Sequence, residues 1–152
     1  MKKIALACDH GGFEHKEAIK DFLIAEGYEV QDFGVYSTES KDYPDFVYPA
    51  AKSVVAKENE RGIVICGTGI GASITANKVN GIRCALVTSL EVAQLTREHN
   101  DSNILALAGR TTDLETNLSI VSKWLETDFS EDERHSRRIQ KLAEIEKKEC
   151  SQ

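Results

Sequence analysis

The stretch Ile63-Val64-Ile65-Cys66-Gly67-Thr68-Gly69-Ile70-Gly71 decides the fold. An apolar run ends at Cys66 and passes at once into three glycines spaced by single residues. Continuous apolar runs suit strands covered on both faces, as in a parallel sheet. A helix follows through Asn77, so this is a strand, a tight turn and a helix. Working outward, similar runs occur at Ile4 to Cys8, Arg83 to Val87 and Ile104 to Ala108. Tyr28 to Phe33 is more polar and alternates, which predicts a strand toward a sheet edge. Residues 13–26 place Ile19, Phe22 and Leu23 on one helical face, and Gly27 ends that helix. Thr88-x-x-Glu91 and Thr112-x-x-Glu115 read as capping boxes for helices over 89–98 and 113–126. The second of these carries Leu114, Leu118, Val121 and Leu125 at helical spacing. A last, highly charged helix covers 136–149. The alternation predicts an α/β fold: a three-layer α/β/α sandwich around a five-stranded parallel sheet, in one domain over 1–152. The longest loop is 34–44, where Pro44 and Pro49 bracket a helix start, since an interior proline breaks a helix.

Composition agrees. A chain of 152 residues forms one domain that buries roughly two-thirds of its unfolded surface. With 41% hydrophobic and 29% charged residues, wholesale disorder is excluded. The apolar runs are too short to cross a bilayer. Asp9 and His10 interrupt the N-terminal run before a signal-peptide core forms. A soluble, cytoplasmic protein is expected. The net charge of −6 argues against nucleic acid or an anionic membrane as partner, but a few local donors still suffice for a small anion. Cys8, Cys66, Cys84 and Cys150 include no Cys-x-x-Cys pair and no zinc-like spacing, so free thiols are expected and no metal site.

In open parallel sheets, ligands bind beyond the carboxyl ends of the strands. The first strand runs straight into Asp9-His10-Gly11-Gly12, and another into the Cys66 loop. Backbone N–H groups of Gly67, Thr68, Gly69, Ile70 and Gly71, backed by a helix N-terminus, suit an anion or a developing oxyanion. The loop alone is equally a tight turn. It is not a Walker motif, and it departs from G-x-G-x-x-G by one residue. A free thiol titrates near ~8.5, and a helix N-terminus or a nearby cation lowers that value. Cys66 is therefore a base or nucleophile, or else a small buried hydrophobe. Cys8 and Cys84 keep the second reading. Asp9 and His10 form an acid–base pair or a ligand clamp, or Asp9 merely caps the next helix. Arg134 and Arg138 share a helical face and fit a phosphate, unless Glu131, Asp132 and Glu133 neutralise them.

One topological point couples these groups. His99 and Asn100 end a helix that precedes the last strand, so they start near the amino edge of the sheet. The Cys66 loop lies at the carboxyl edge. If both serve one site, that site is shared between two chains.

Taken in order, the motifs are Ile4-Ala5-Leu6-Ala7-Cys8-Asp9-His10, Asp42-Tyr43-Pro44, Cys66-Gly67-Thr68-Gly69-Ile70-Gly71, Ala76-Asn77-Lys78, Gly81-Ile82-Arg83, His99-Asn100-Asp101-Ser102-Asn103, Gly109-Arg110 and Arg134-His135-x-x-Arg138. This ordered set resembles the type B ribose-5-phosphate isomerases of the ribose/galactose isomerase family. The resemblance implies a Rossmann-like fold and a cofactor-free, metal-free aldose–ketose isomerisation of a sugar phosphate. By motif position, Cys66 is the base that moves a proton between C1 and C2, and His99 helps open the sugar ring. Asp9, His10, Gly67 to Gly71, Asn100, Arg110, Arg134 and Arg138 hold the substrate. The resemblance also implies dimers, or dimers of dimers, with sites across the interface and the C-terminal helix contributing. Some members use a glutamate at the place of Thr75 instead; with Cys66 present, this chain is of the cysteine type. Pro49 and the segment Ser130 to Glu133 are less typical. The roles of Tyr43 and His135 stay open.

Two other functions compete with ribose 5-phosphate isomerisation. One is the same chemistry on a hexose 6-phosphate, such as that of galactose or allose. The other is a non-catalytic sugar-phosphate sensor on the same scaffold, which needs the anion clamp but neither Cys66 nor His99.

Overall fold

The structure, a computed structural model, describes residues 2–150. Its strands are β1 (Lys3–Cys8), β2 (Glu29–Asp32), β3 (Arg61–Cys66), β4 (Cys84–Leu86) and β5 (Ile104–Ala108). Its α-helices are α1 (Phe13–Ala25), α2 (Pro44–Val55), α3 (Ile70–Asn77), α4 (Leu90–Asn100), α5 (Leu114–Glu126) and α6 (Glu133–Cys150). All strand pairs are parallel, in the order β2-β1-β3-β5-β4. The expected sandwich is present. The chain reverses direction across the sheet between β1 and β3, which opens the crevice where ligands of such folds bind.

Side-chain alternation makes the two sides of the sheet different. Ile4, Leu6, Ile63, Ile65, Leu105 and Leu107 face α1 and α5, where Ile19, Leu23, Ile120 and Trp124 cover them. Each such aliphatic side chain contributes about 1.5–3 kcal/mol of burial. Ala5, Ala7, Val64, Cys66 and Ala106 face the other way, toward Ala50, Ala51, Ala72 and Ala76. Small residues on both partners let α2 and α3 lie close against the sheet. Cys66 therefore opens toward the α2–α3 side.

Several local expectations change. β4 is a half-buried edge strand of only three residues, with Leu86 37% exposed, because β5 inserts between it and β3. Ser89, not Thr88, caps α4, and Asp113, not Thr112, caps α5, each accepting from an N–H three residues on. The α5 core stripe is Asn117, Ile120, Val121, Trp124 and Leu125, while Leu114 is exposed. Pro49 lies inside α2 without ending it. Its missing N–H deprives only the Asp45 carbonyl, and packing of Val47, Ala50, Ala51 and Val54 on the sheet holds the helix. α6 begins at Glu133, so Arg134 and His135 are helical.

Candidate active site

At the carboxyl end of the sheet, β1 delivers Asp9 and His10. Asp9 is 8% exposed, and its Oδ1 accepts the Gly11 N–H at 2.8 Å. It caps the short 3-10 turn His10–Gly12, not α1, whose own N-cap is Gly12. Beside it, β3 delivers Cys66, which is 5% exposed. Gly69 takes φ +79°, a left-handed conformation that favours glycine, and starts α3 with no side-chain cap. The early N–H groups of α3 have no helical carbonyls to meet. Within the loop, Thr68 Oγ1 accepts the Ile70 N–H at 3.3 Å. The Tyr43 ring fills the space where a Gly71 side chain would stand.

The chain after β5 closes the far side. Gly109 N–H donates to the Cys66 carbonyl at 2.8 Å, and Arg110 N–H to the Gly67 carbonyl at 2.9 Å. The Arg110 side chain then lies over Gly67. Buried Asn117 holds this turn from behind, donating to the Ala108 carbonyl and approaching His15 Nδ1, each at 2.9 Å. Its own Oδ1 has no partner. Asp9, His10, Cys66, Gly67 to Gly71 and Arg110 thus form one cluster, with a buried thiol beside backbone donors and an arginine.

The other candidates gather at the amino end. Asp101, at φ +45°, caps the end of α4. Buried Arg97 pins that turn, donating to Asp101 Oδ1 at 2.8 Å, the Ser102 carbonyl at 2.7 Å and the Thr127 carbonyl at 3.0 Å. The Asn100 carbonyl accepts from Arg83 Nε at 2.9 Å. The His99 ring stacks on that of buried His135. In the basic cluster, Arg137 pairs with Glu133 at 2.9 Å, while Arg134 and Arg138 stand outside that pair, exposed. Neutralisation by the acidic segment therefore falls on Arg137.

The chain does not bring Cys66 and His99 together. Cys66 pairs in register with Ala108, whereas α4 re-enters the sheet next to Ile104, the partner of Gly62. Four residues of strand separate these levels, about 13 Å at ~3.3 Å per residue.

Comparison with known proteins follows this geometry. The Ribose/Galactose Isomerase family profile matches residues 4–142. The chain belongs to the ribose/galactose isomerase family. It is 44% identical over 148 residues to the ribose-5-phosphate isomerase B of Escherichia coli K12, covering 97% of this chain and 99% of that one. The structure of Clostridium thermocellum ribose-5-phosphate isomerase B superposes with a TM-score of 0.94 at 53% identity, covering 96% of this chain and 98% of the other. That of Mycoplasma genitalium ribose-5-phosphate isomerase B with bound ribulose-5-phosphate gives 0.90 at 39% identity, covering 95% and 96%.

In this isomerase-family chain, three features of the site escape a reading of the sequence. They are the Asn117 buttress, the Lys41 peptide group at His10 and the His99–His135 stack. Only Asn117 leaves a signal, as a polar residue one turn from Val121 on an apolar face. Among the described residues, no three His, Cys, Asp or Glu side chains are grouped to hold a metal ion. No helix there is long and apolar enough to cross a membrane.

Proposed function

We propose that the chain interconverts ribose 5-phosphate and ribulose 5-phosphate through an enediolate, with Cys66 as the base. The observation that carries this reading is the place of Cys66: 5% exposed, ending a central strand, and opening onto a glycine loop that leads into α3. The thiolate takes the proton from C2 of the open-chain aldose. The electron pair moves into the C1–C2 bond, and the C1 carbonyl oxygen becomes the enediolate oxygen. The proton of the C2 hydroxyl passes to the C1 oxygen, the Cys66 thiol returns its proton at C1, C2 becomes the carbonyl carbon, and the ketose results. Backbone N–H groups from Gly67 to Gly71 stabilise the charge that develops on oxygen. Asp9, His10 and Arg110 hold the sugar and its phosphate, so binding energy from the non-reacting end orients the reacting one.

His99 opens the furanose ring, and Asn100, Arg134 and Arg138 complete the substrate contacts, from a second copy of the chain. The separation of Cys66 from His99 supports a homodimer with shared sites, in which α6 contributes to the interface. Exposed Ile70 and Ile74 on α3, with Leu142 and Ile145 on α6, offer apolar surface for that contact.

The test is isomerisation of ribose 5-phosphate by the purified protein, with chelator present and Cys66→Ala as control. General-base removal is expected to lower kcat by about a hundredfold to ten-thousandfold with KM nearly kept. The family's name spans galactose as well as ribose, so galactose 6-phosphate and allose 6-phosphate belong in parallel. Turnover of only a hexose phosphate changes the substrate and keeps the mechanism. Sugar-phosphate binding without turnover, unaltered by Cys66→Ala, indicates a sensor.

A further inference from the structure

The segment between β2 and α2 forms one wall of the Cys66 cluster. Its start is held from both sides. The Val35 carbonyl accepts from the buried Lys16 Nζ at 2.6 Å, and the Val35 N–H donates to the Cys8 carbonyl at 3.0 Å. Its end is held by the Tyr43 ring against Gly71. Between these anchors, residues 37–41 reach the rest of the described protein through the Lys41 N–H, which donates to His10 Nδ1 at 3.1 Å.

A peptide N–H only donates, so Nδ1 of His10 is the accepting nitrogen. A neutral imidazole carries one proton, and here it sits on Nε2. We propose that the Lys41 peptide group fixes this tautomer, so that His10 meets the substrate as an Nε2–H donor. Lys41 is then a positioning residue that acts through its backbone and not through its amine. With its lone pair engaged at Nδ1, His10 has no free basic nitrogen to offer the sugar. It suits a phosphate or hydroxyl oxygen instead. Among the described residues, no hydrogen bond joins Asp9 to His10, and Asp9 Oδ1 accepts the Gly11 N–H instead. This arrangement favours a clamp over an acid–base pair for Asp9 and His10. The inference rests on the reading of the Cys66 cluster as a sugar-phosphate site.

The test has one arm that needs no substrate. Protein labelled with nitrogen-15 at its four histidines gives long-range proton–nitrogen spectra at about pH 8, where imidazoles are neutral. A His10→Gln spectrum assigns the His10 signals. The expected pattern is a protonated Nε2 and a bare Nδ1. Lys41→Pro removes the N–H, and its His10 signals should move toward a mixture of tautomers. Lys41→Ala keeps the N–H and should leave them in place. In turnover of ribose 5-phosphate, Lys41→Pro should raise KM by about tenfold with a smaller change in kcat, and Lys41→Ala should stay within about twofold. A wild-type His10 protonated on Nδ1, or equal shifts in both Lys41 variants, overturns the proposal. The wild-type spectrum decides by itself even where Lys41→Pro does not fold. A protein with no isomerase activity but the expected spectrum keeps the tautomer and loses the isomerase reading.

Discussion

The imidazole of His99 lies flat on that of His135, with ring centres 4.3 Å apart and planes 19° from parallel. The stack joins the last turn of α4 to the first turn of α6. It thereby brings Arg134 and Arg138 into the neighbourhood of His99 and Asn100. Two rings so placed resist a second positive charge. Burial first, then the charges of His99 and Arg134, hold His135 below the ordinary imidazole value of 6.5. Burial likewise lowers His15 against the pull of Glu14 and Asp113.

A folded-state value below the unfolded one fixes the sign. The contribution to stability is full above 6.5 and is lost as pH falls below it, because the unfolded chain takes up the proton first. The thermal unfolding midpoint should therefore fall between about pH 7 and about pH 5. His135→Phe, which keeps a flat ring, should make that fall shallower. An unchanged slope by circular dichroism would remove His135 from the acid sensitivity.

Cys8 and Cys84 are both pushed up to about 12 by burial, while Cys150 is exposed. At about pH 8 the native protein should take iodoacetamide at Cys150 and leave Cys8 and Cys84 untouched, since only thiolates react. Denaturant should free all of them. Peptide mass spectrometry reads the sites directly, and native modification of Cys8 would contradict its buried place under α1.

Lys16 is fully buried, and its amine holds both Asp32 carboxylate oxygens at 2.8 Å. Burial raises the Asp32 carboxyl, but bonds from Lys16, the Gly34 N–H and Lys20 outweigh it and hold the group below 3.8. Its contribution is present above that value and is lost as pH falls through the lowered one. Lys16→Met should cost about 3–5 kcal/mol in urea unfolding at neutral pH, because a carboxylate loses its buried partner. Adding Asp32→Asn should recover part of the loss. No recovery would show that Lys16 acts through its other contacts, the Val35 carbonyl, Glu17 and the Phe13 and Tyr36 rings.

Mixed dimers test whether the proposed site is shared between two chains. Chains carrying Cys66→Ala and chains carrying His99→Ala should each be inactive alone. In a heterodimer, one site keeps both residues and the other loses both, so roughly half of the wild-type activity per dimer should return. Verified heterodimers without activity would count against a site shared between chains.

Much of this protein is legible along the chain. Apolar runs of about strand length separated by amphipathic stretches give a parallel α/β sheet, because each element must bury its own apolar face. The run into Cys66-Gly67-Thr68-Gly69 marks the candidate site, because a turn and a helix start are settled by neighbouring residues. Even the separation of Cys66 from His99 follows from chain direction alone.

What the tertiary structure decided lies between residues far apart in the chain. The short edge strand β4 exists because β5 inserts beside β3. Lys16 meets Asp32, Asn117 meets the turn above Cys66, His99 meets His135, and the Lys41 N–H meets His10. None of these pairs leaves a periodic trace, because a polar contact across the fold depends on where two backbones end up. Periodicity reports which face of an element is buried. It does not report which polar groups are buried with it, and those groups set the chemistry of the site.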